Sequence, residues 1–293
     1  LERDFLFAHD AMETITSRTN PIILDTIRLR EAKHRRDSGL FAFEGKKLFL
    51  EALEKGIDLK YVFFTDVAKD FCISALEKSQ QKCRRINISG SVYEKLSAEK
   101  SPEGIFCVAG GLDKRHKFAT IYKADCNASE SSRRTRLMLS SLRDPGNVGT
   151  IIRSAVAFGV DELILSADCV DIYNPKVIRA AMGALFSMKI IVVKDFLGSV
   201  LALQESGCAV YAAALSEDAH SLRELSILPN SVFIIGNEAN GVPPEVISAA
   251  DACVYIPMAE GVESLNAAVA ASVLLWEAKF CKTIGGTYGH PKT

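Results

Sequence analysis

From residue 137 onward, short apolar runs alternate with stretches of helical periodicity. Strands are expected at 137–142, 162–165, 189–193, 209–213, 232–235 and 253–256. Helices are expected at about 148–158, 175–185, 197–206, 221–225, 244–250 and 265–280. Parallel strands need a crossover between them, usually a helix, and strands buried on both faces read as almost continuous apolar runs. The pattern therefore restricts this half of the chain to an α/β domain with a parallel sheet covered on both faces. Ligands of such sheets sit beyond the carboxyl ends of the strands, so chemistry is to be sought in the loops that follow them.

The front of the chain alternates too. A helix is expected over 21–36, with Ile23, Ile27 and Arg30 at helical spacing, and further helices at 46–55, 71–79 and 91–96. Short strands at 41–44, 61–65, 85–89 and 105–109 complete a smaller α/β domain. The chain of 293 residues is long enough for two such cores. The expected division is a loose lead-in at 1–20, a front domain at 21–112, a polar linker at 113–135, a back domain at 136–285 and a tail at 286–293.

Net charge is −1, but residues 1–123 carry a net +4 and residues 124–293 a net −5. The basic excess gathers in Arg28, Arg30, Lys33, Arg35 and Arg36, joined by Lys46. Such a cluster is either a solvated helix face or a polyanion-binding surface. The longest nearly apolar run, 267–276, is too short to span a bilayer, so no membrane association is expected. The chain opens on Leu, and a trimmed natural start is expected; the first 20 residues hold no signal-peptide core. The eight cysteines form no C-x-x-C pair and sit mostly in apolar stretches, as expected of reduced, buried thiols in a cytoplasmic protein. The five histidines are scattered, and no metal site is expected.

Three loops carry polar residues where the sheet would bind a ligand. The first is Leu142-Arg-Asp-Pro-Gly-Asn-Val-Gly-Thr-Ile-Ile-Arg153. Asn147 is expected to cap the helix, and Arg153 lies off the apolar face made by Val148, Ile151, Ile152 and Ala155. A helix N-terminus with an arginine suits a phosphate; the alternative is a capped helix with a surface arginine. Gly146 and Gly149 do not match a dinucleotide fingerprint, which weighs against a nicotinamide-dependent enzyme. The second loop runs from Gly236 through Asn237, Glu238 and Asn240 to Gly241, where glycine allows a ligand close to the backbone. Glu238 is either a carboxylate at the mouth of the sheet or a turn residue before Pro243-Pro244. The third loop, Tyr255-Ile-Pro-Met-Ala-Glu-Gly-Val-Glu-Ser-Leu-Asn266, enters an alanine-rich helix with Ser264 as the expected N-cap.

Together these loops resemble the SpoU-type (TrmH-like) RNA ribose methyltransferases of the SPOUT superfamily. The matching signatures are Asp144-Pro-Gly-Asn-Val-Gly-Thr-Ile-Ile-Arg153, Gly236-Asn-Glu238 with Gly241, and Ile256-Pro-Met258 followed by Ser264-Leu-Asn266. Many relatives place glycine where this chain has Glu260, with Gly261 one later, which affects the local shape of the loop. The front half, with Arg28-Leu-Arg, Phe43-Glu-Gly-Lys46 and Pro102-Glu-Gly-Ile105, resembles the ribosomal-protein-like substrate-binding domain of members that act on ribosomal RNA.

The resemblance implies a deep trefoil knot, a homodimer and S-adenosylmethionine held by Gly236, Ile256, Met258 and Leu265. It implies methyl transfer to a ribose 2′-hydroxyl, most naturally of ribosomal RNA, with transfer RNA as the alternative substrate. Arg153, Asn147, Glu238, Ser264 and Asn266 would form the catalytic constellation, and Arg28, Arg30, Lys33, Arg35, Arg36 and Lys46 would contact RNA. A guanidinium holds its proton firmly, so Arg153 is read as a phosphate ligand and alkoxide stabiliser rather than a base. The rival reading is a non-catalytic RNA-binding protein with a degenerate methyltransferase domain, which a lack of measurable S-adenosylmethionine binding would favour.

Overall fold

The computed structural model describes residues 12–112, 134–216, 218–262 and 264–280. Most of the expected linker, the tail and the first eleven residues of the lead-in lie outside them. The described residues fall into two compact units.

The front unit is built on a five-stranded mixed sheet. Its strands are β1 (Glu13–Ile15), β2 (Leu40–Glu44), β3 (Leu59–Phe64), β4 (Arg84–Ile88) and β5 (Ile105–Gly110), in the order β1-β4-β3-β5-β2. β4 runs parallel to β1 and β3, while β5 is antiparallel to β3 and β2. β1 lies in the segment expected to be a loose lead-in. Three residues are too few to show a period of two, but Ile15 is buried and Glu13 pairs with Arg84 at 2.6 Å. Its helices are α1 (Pro21–Arg28), α2 (Ala32–Ser38), α3 (Lys46–Glu54), α4 (Lys69–Ser79) and α5 (Gly90–Leu96).

The single helix expected over 21–36 is thus two helices. The break is held by Arg35, whose guanidinium donates to the carbonyls of Leu29 at 2.7 Å and Arg30 at 2.8 Å. Those carbonyls belong to the turn that ends α1, where helical partners run out. Arg35 is only 5% exposed. Its assignment to RNA contact is therefore corrected: the charge is committed to the backbone inside the front unit.

The back unit carries a seven-stranded sheet in which every pairing is parallel. Its strands are β6 (Arg134–Leu139), β7 (Glu162–Ser166), β8 (Ile190–Val193), β9 (Ala209–Ala213), β10 (His220–Ser221), β11 (Asn230–Ile235) and β12 (Ala252–Tyr255), ordered β10-β12-β9-β11-β6-β7-β8. The remaining helices among the described residues are α6 (Pro145–Ala157), α7 (Pro175–Ala181), α8 (Ala184–Ser187), α9 (Phe196–Glu205), α10 (Pro244–Ala249) and α11 (Ala267–Phe280). One core layer packs Met138, Ile164, Ile191, Val210 and Ile234 of the sheet against Val200, Leu203 and Val246. Arg136 and Glu162, each 4% exposed by side chain, pair at 2.9 Å at the start of β6 and β7, and Lys189 shares Glu162.

Two expected helices differ. Residues 221–225 are not helical, because Ser221 pairs with Tyr255 in the sheet and the Leu222 amide donates to the Tyr255 carbonyl at 2.9 Å. The helix expected over 175–185 breaks at Met182, which adopts φ +51°. The Glu51 carboxylate stands where a Cβ on Gly183 would lie. Tyr173–Phe186 groups with the front unit although the strands on either side of it do not. There Tyr173 stacks on Phe41 at 4.6 Å, Phe186 meets Phe43 at 5.1 Å, and Arg179 pairs with Glu99 at 2.6 Å. Six cysteines fall in described residues and are unpaired; burial pushes the thiol of Cys83 up to about 11 and that of Cys72 up to about 12.

Removing Arg35 leaves two inward-facing carbonyls without their charged donor. Arg35→Ala is expected to destabilise the front unit by roughly 2–4 kcal/mol. Denaturant titration checks this by circular dichroism, while the fluorescence of Trp276, the chain's one tryptophan, follows the back unit and should shift little.

Candidate active site

Three strand-to-helix connections meet at the carboxyl end of the back sheet: β6 to α6, β11 to α10, and β12 to α11. They are joined through side-chain amides. Asn147 donates through Nδ2 to Glu238 Oε1 at 2.9 Å and accepts at Oδ1 from Asn266 Nδ2 at 2.9 Å. Asn237 Nδ2 donates to the Ser141 carbonyl at 2.7 Å. Asn147, Glu238 and Asn266 are thus brought together from positions 91 and 119 residues apart along the chain.

Asn147 is free to do this because it is not the cap of α6. That role falls to Asp144, whose carboxylate accepts from the Asn147 amide at 2.7 Å, with Pro145 as the first helical residue. Proline suits that position because it brings the right φ and has no N–H to leave unpaired. The cap of α11 is likewise Asn266 rather than Ser264. Its Oδ1 accepts from Ala268 at 3.0 Å and Val269 at 3.4 Å, while Nδ2 reaches Asn147. Both capping expectations are corrected for the same reason: each helix starts elsewhere than at the residue the sequence favours.

The second and third loops, with the end of β9, line an open cavity of about 620 Å³. Gly236, Ile256, Met258 and Leu265 all line it, as do Glu238, Ser264 and Asn266. Ala213, Ala214 and Leu215 form part of the wall; nothing in that apolar run marks it as a site. Asn147 and Arg153 do not line the cavity. Arg153 is exposed on α6 and makes no hydrogen bond or ion pair with another described residue.

The two glycines of the second loop have different reasons. A Cβ on Gly236 would lie 2.1 Å from the carbonyl carbon of Gly241 and 2.2 Å from the Val242 nitrogen. The close approach that requires glycine is therefore that of the returning loop itself, closed by reciprocal hydrogen bonds of 2.9 Å between Asn237 and Gly241. Gly241 has open space around it but sits at φ +67°, a conformation glycine adopts freely.

In the front unit the remaining basic candidates are differently placed. Lys33 and Arg36 are exposed. Arg28 is exposed and faces Asp25 at 3.7 Å. Arg30 donates to the carbonyls of Lys95 and Leu96, each at 2.9 Å. The Lys46 ammonium stands 5.5 Å from the Phe71 ring centre. Among the described residues, no group of three or more His, Cys, Asp or Glu could hold a metal ion, and no helix is long and apolar enough to cross a membrane.

A parallel α/β sheet with a cavity formed by loops at its carboxyl end is the architecture of a small-molecule-binding enzyme. Comparison with known proteins specifies which. Residues 134–276 match the SpoU rRNA Methylase family, and residues 20–107 match the MRM3-like substrate binding domain. An uncharacterized tRNA/rRNA methyltransferase of Synechocystis (slr1673) is 30% identical, with 91% of this chain and 93% of that protein aligned. The 23S rRNA (guanosine(2553)-2′-O)-methyltransferase RlmP of Bacillus subtilis is also 30% identical, over 92% of this chain and all of that one. The crystal structure of an AdoMet-bound rRNA methyltransferase from Sinorhizobium meliloti matches with TM-score 0.77 at 27% identity, covering 91% of this chain and 97% of that chain. The chain belongs to the SpoU rRNA methylase family.

Gly236→Ala is expected to force the returning loop away and cost roughly 1–3 kcal/mol, as overpacking does. Thermal melting checks the stability, and calorimetry with S-adenosylmethionine should show binding weakened at least tenfold. A variant that melts and binds as the parent does would contradict this account of the loop.

Proposed function

We propose that this protein transfers a methyl group from S-adenosylmethionine to a ribose 2′-hydroxyl of ribosomal RNA. One observation carries the reading: Asn147 joins the α6 loop to both loops of the cavity through Glu238 and Asn266. Family membership, the RNA-modifying relatives and the substrate-binding-domain match at residues 20–107 support the same conclusion.

The cavity fits the cofactor. Its volume of about 620 Å³ falls within the usual range of about 300–1,000 Å³ for small-molecule sites. Leu215, Ile256, Met258 and Leu265 offer apolar surface for a purine ring, while Asn237, Ser264 and the loop backbone offer polar partners. Glu238 sets a carboxylate against a ligand that carries positive charge. When bound, the cofactor supplies an activated methyl group on a sulfonium.

This chain's residues then have to align the acceptor and stabilise its charge. A ribose hydroxyl is a poor nucleophile at neutral pH, and alignment accounts for much of the acceleration in such reactions. In this reading Arg153 binds the phosphate beside the target and stabilises negative charge growing on the 2′-oxygen. Asn147 orients the acceptor side against the cavity, and Glu238, Ser264 and Asn266 hold the ribose and the loops.

The same reading includes a trefoil knot and a homodimer. β11 enters the sheet between the earlier strands β6 and β9, and α11 then packs on α6; this late insertion supports the knot. Val269, Trp276 and Phe280 are 49%, 54% and 42% exposed and share one stripe of α11, which supports a subunit interface. In a dimer, Arg153, which lies outside its own chain's cavity, would work where two protomers meet. A single-chain mass on sedimentation at micromolar concentration would remove this part.

Arg153→Ala is expected to lower methyl transfer at least a hundredfold while leaving cofactor affinity within about twofold. Wild-type turnover in that variant would sink the assignment. On the front unit, charge removal at Lys33 and Arg36 together should weaken RNA binding and flatten its dependence on log salt by about 0.7–0.9 for each phosphate no longer neutralised. An unchanged slope would place the RNA elsewhere.

A further inference from the structure

The turn that carries the chain from β6 into α6 holds a non-glycine residue, Ser141, in the left-handed region at φ +56°. An L-residue adopts that region at a cost and stays there only where its surroundings over-determine it. Here they do. The Ser141 amide donates to Ser166 Oγ at 2.8 Å, and its carbonyl accepts from Asn237 at 2.7 Å. The Val170 amide donates to the next carbonyl, that of Leu142, at 2.9 Å.

Ser166 is 7% exposed and sits at the end of β7. A hydroxyl has one proton, and Ser166 gives it to Asp168 Oδ1 at 2.6 Å. Its oxygen is thereby left to face the Ser141 amide. Burial raises the Asp168 carboxyl, but hydrogen bonds from Ser141 and Ser166, helped by Arg143, outweigh that and hold it below the ordinary range. Arg143 contributes little as a tether: it is 3.8 Å from Asp168, with side chains 74% and 49% exposed. Ser141, Ser166 and Asp168 do not line the cavity.

We propose that Ser166, with its proton fixed by Asp168, is a positioning residue for methyl transfer. It holds Ser141 in the left-handed turn that sets where α6 begins, and so where Asn147 and Arg153 stand against the other two loops. This rests on reading Asn147 and Arg153 as the acceptor side of the reaction.

The test uses the full chain with labelled S-adenosylmethionine and ribosomal RNA from cells lacking the gene. Ser166→Ala is expected to lower kcat roughly three- to tenfold, the worth of about one hydrogen bond, with cofactor affinity by calorimetry within about twofold. Adding Ser141→Gly to that variant should restore most of the activity, because glycine enters the left-handed region unaided. A serine that acts by a route other than this turn would not be rescued this way. Hydrogen exchange gives a readout independent of activity: peptides covering 139–147 should exchange faster in Ser166→Ala and recover in the double variant. Wild-type kcat in Ser166→Ala, or a defect that Ser141→Gly leaves in place, overturns the proposal. So does Arg143→Ala reproducing the defect, which would move the role to the ion pair. If the parent chain transfers no methyl group, the functional reading fails, and unchanged exchange in Ser166→Ala would still refute the turn's dependence on Ser166.

Discussion

The site depends on one side chain using both ends of its amide. Asn147 donates to Glu238 and accepts from Asn266, so three loops that follow three different strands are fixed relative to one another by two hydrogen bonds. A carboxylate in its place would have no proton to give, and the bond to Glu238 could not form. The arrangement needs Asn147 relieved of capping, which Asp144 achieves, and Asn266 able to cap α11 with its oxygen while its nitrogen points away. Local helix chemistry and long-range loop assembly are thus solved by the same residues.

The close approach at Gly236 belongs to this logic. Backbone atoms of Gly241 and Val242 occupy the space a side chain would take, so the second loop folds back on itself and presents Asn237 and Glu238 outward. Asn237 then accepts from the amides of Ala239 at 2.9 Å and Asn240 at 3.2 Å while donating to Ser141. The loop's own hydrogen bonds close it without any ligand, as a preorganised site requires.

The parallel sheet was legible in the sequence because strands buried on both faces leave long apolar runs separated by helical periods. The candidate cavity residues were legible because polar residues and glycines punctuate those runs at strand ends. What escaped is instructive in each case. β1 is too short to show a period. The break between α1 and α2 depends on Arg35, whose guanidinium satisfies the backbone at the end of a helix it does not belong to, and a buried arginine looks like any other in a basic cluster. Ser141 and Ser166 carry no motif, since their pairing exists only once β6 and β7 are neighbours. The cap positions were missed because Asp, Asn and Ser are near-equivalent caps, and only the register of the helix decides among them.

Arg153 stands apart from this network. The other polar candidates are bonded into the loop network or line the cavity, yet Arg153 stands exposed on α6 without a partner among the described residues. An arginine held that way is a poor stability element, since exposed charges contribute little to folding. It is a good ligand for a polyanion, because a guanidinium presents a planar fork of donors suited to phosphate oxygens. The division of labour follows: amides assemble the loops, glycines let the backbone close up, and the one strongly basic group on that helix stands outside the network.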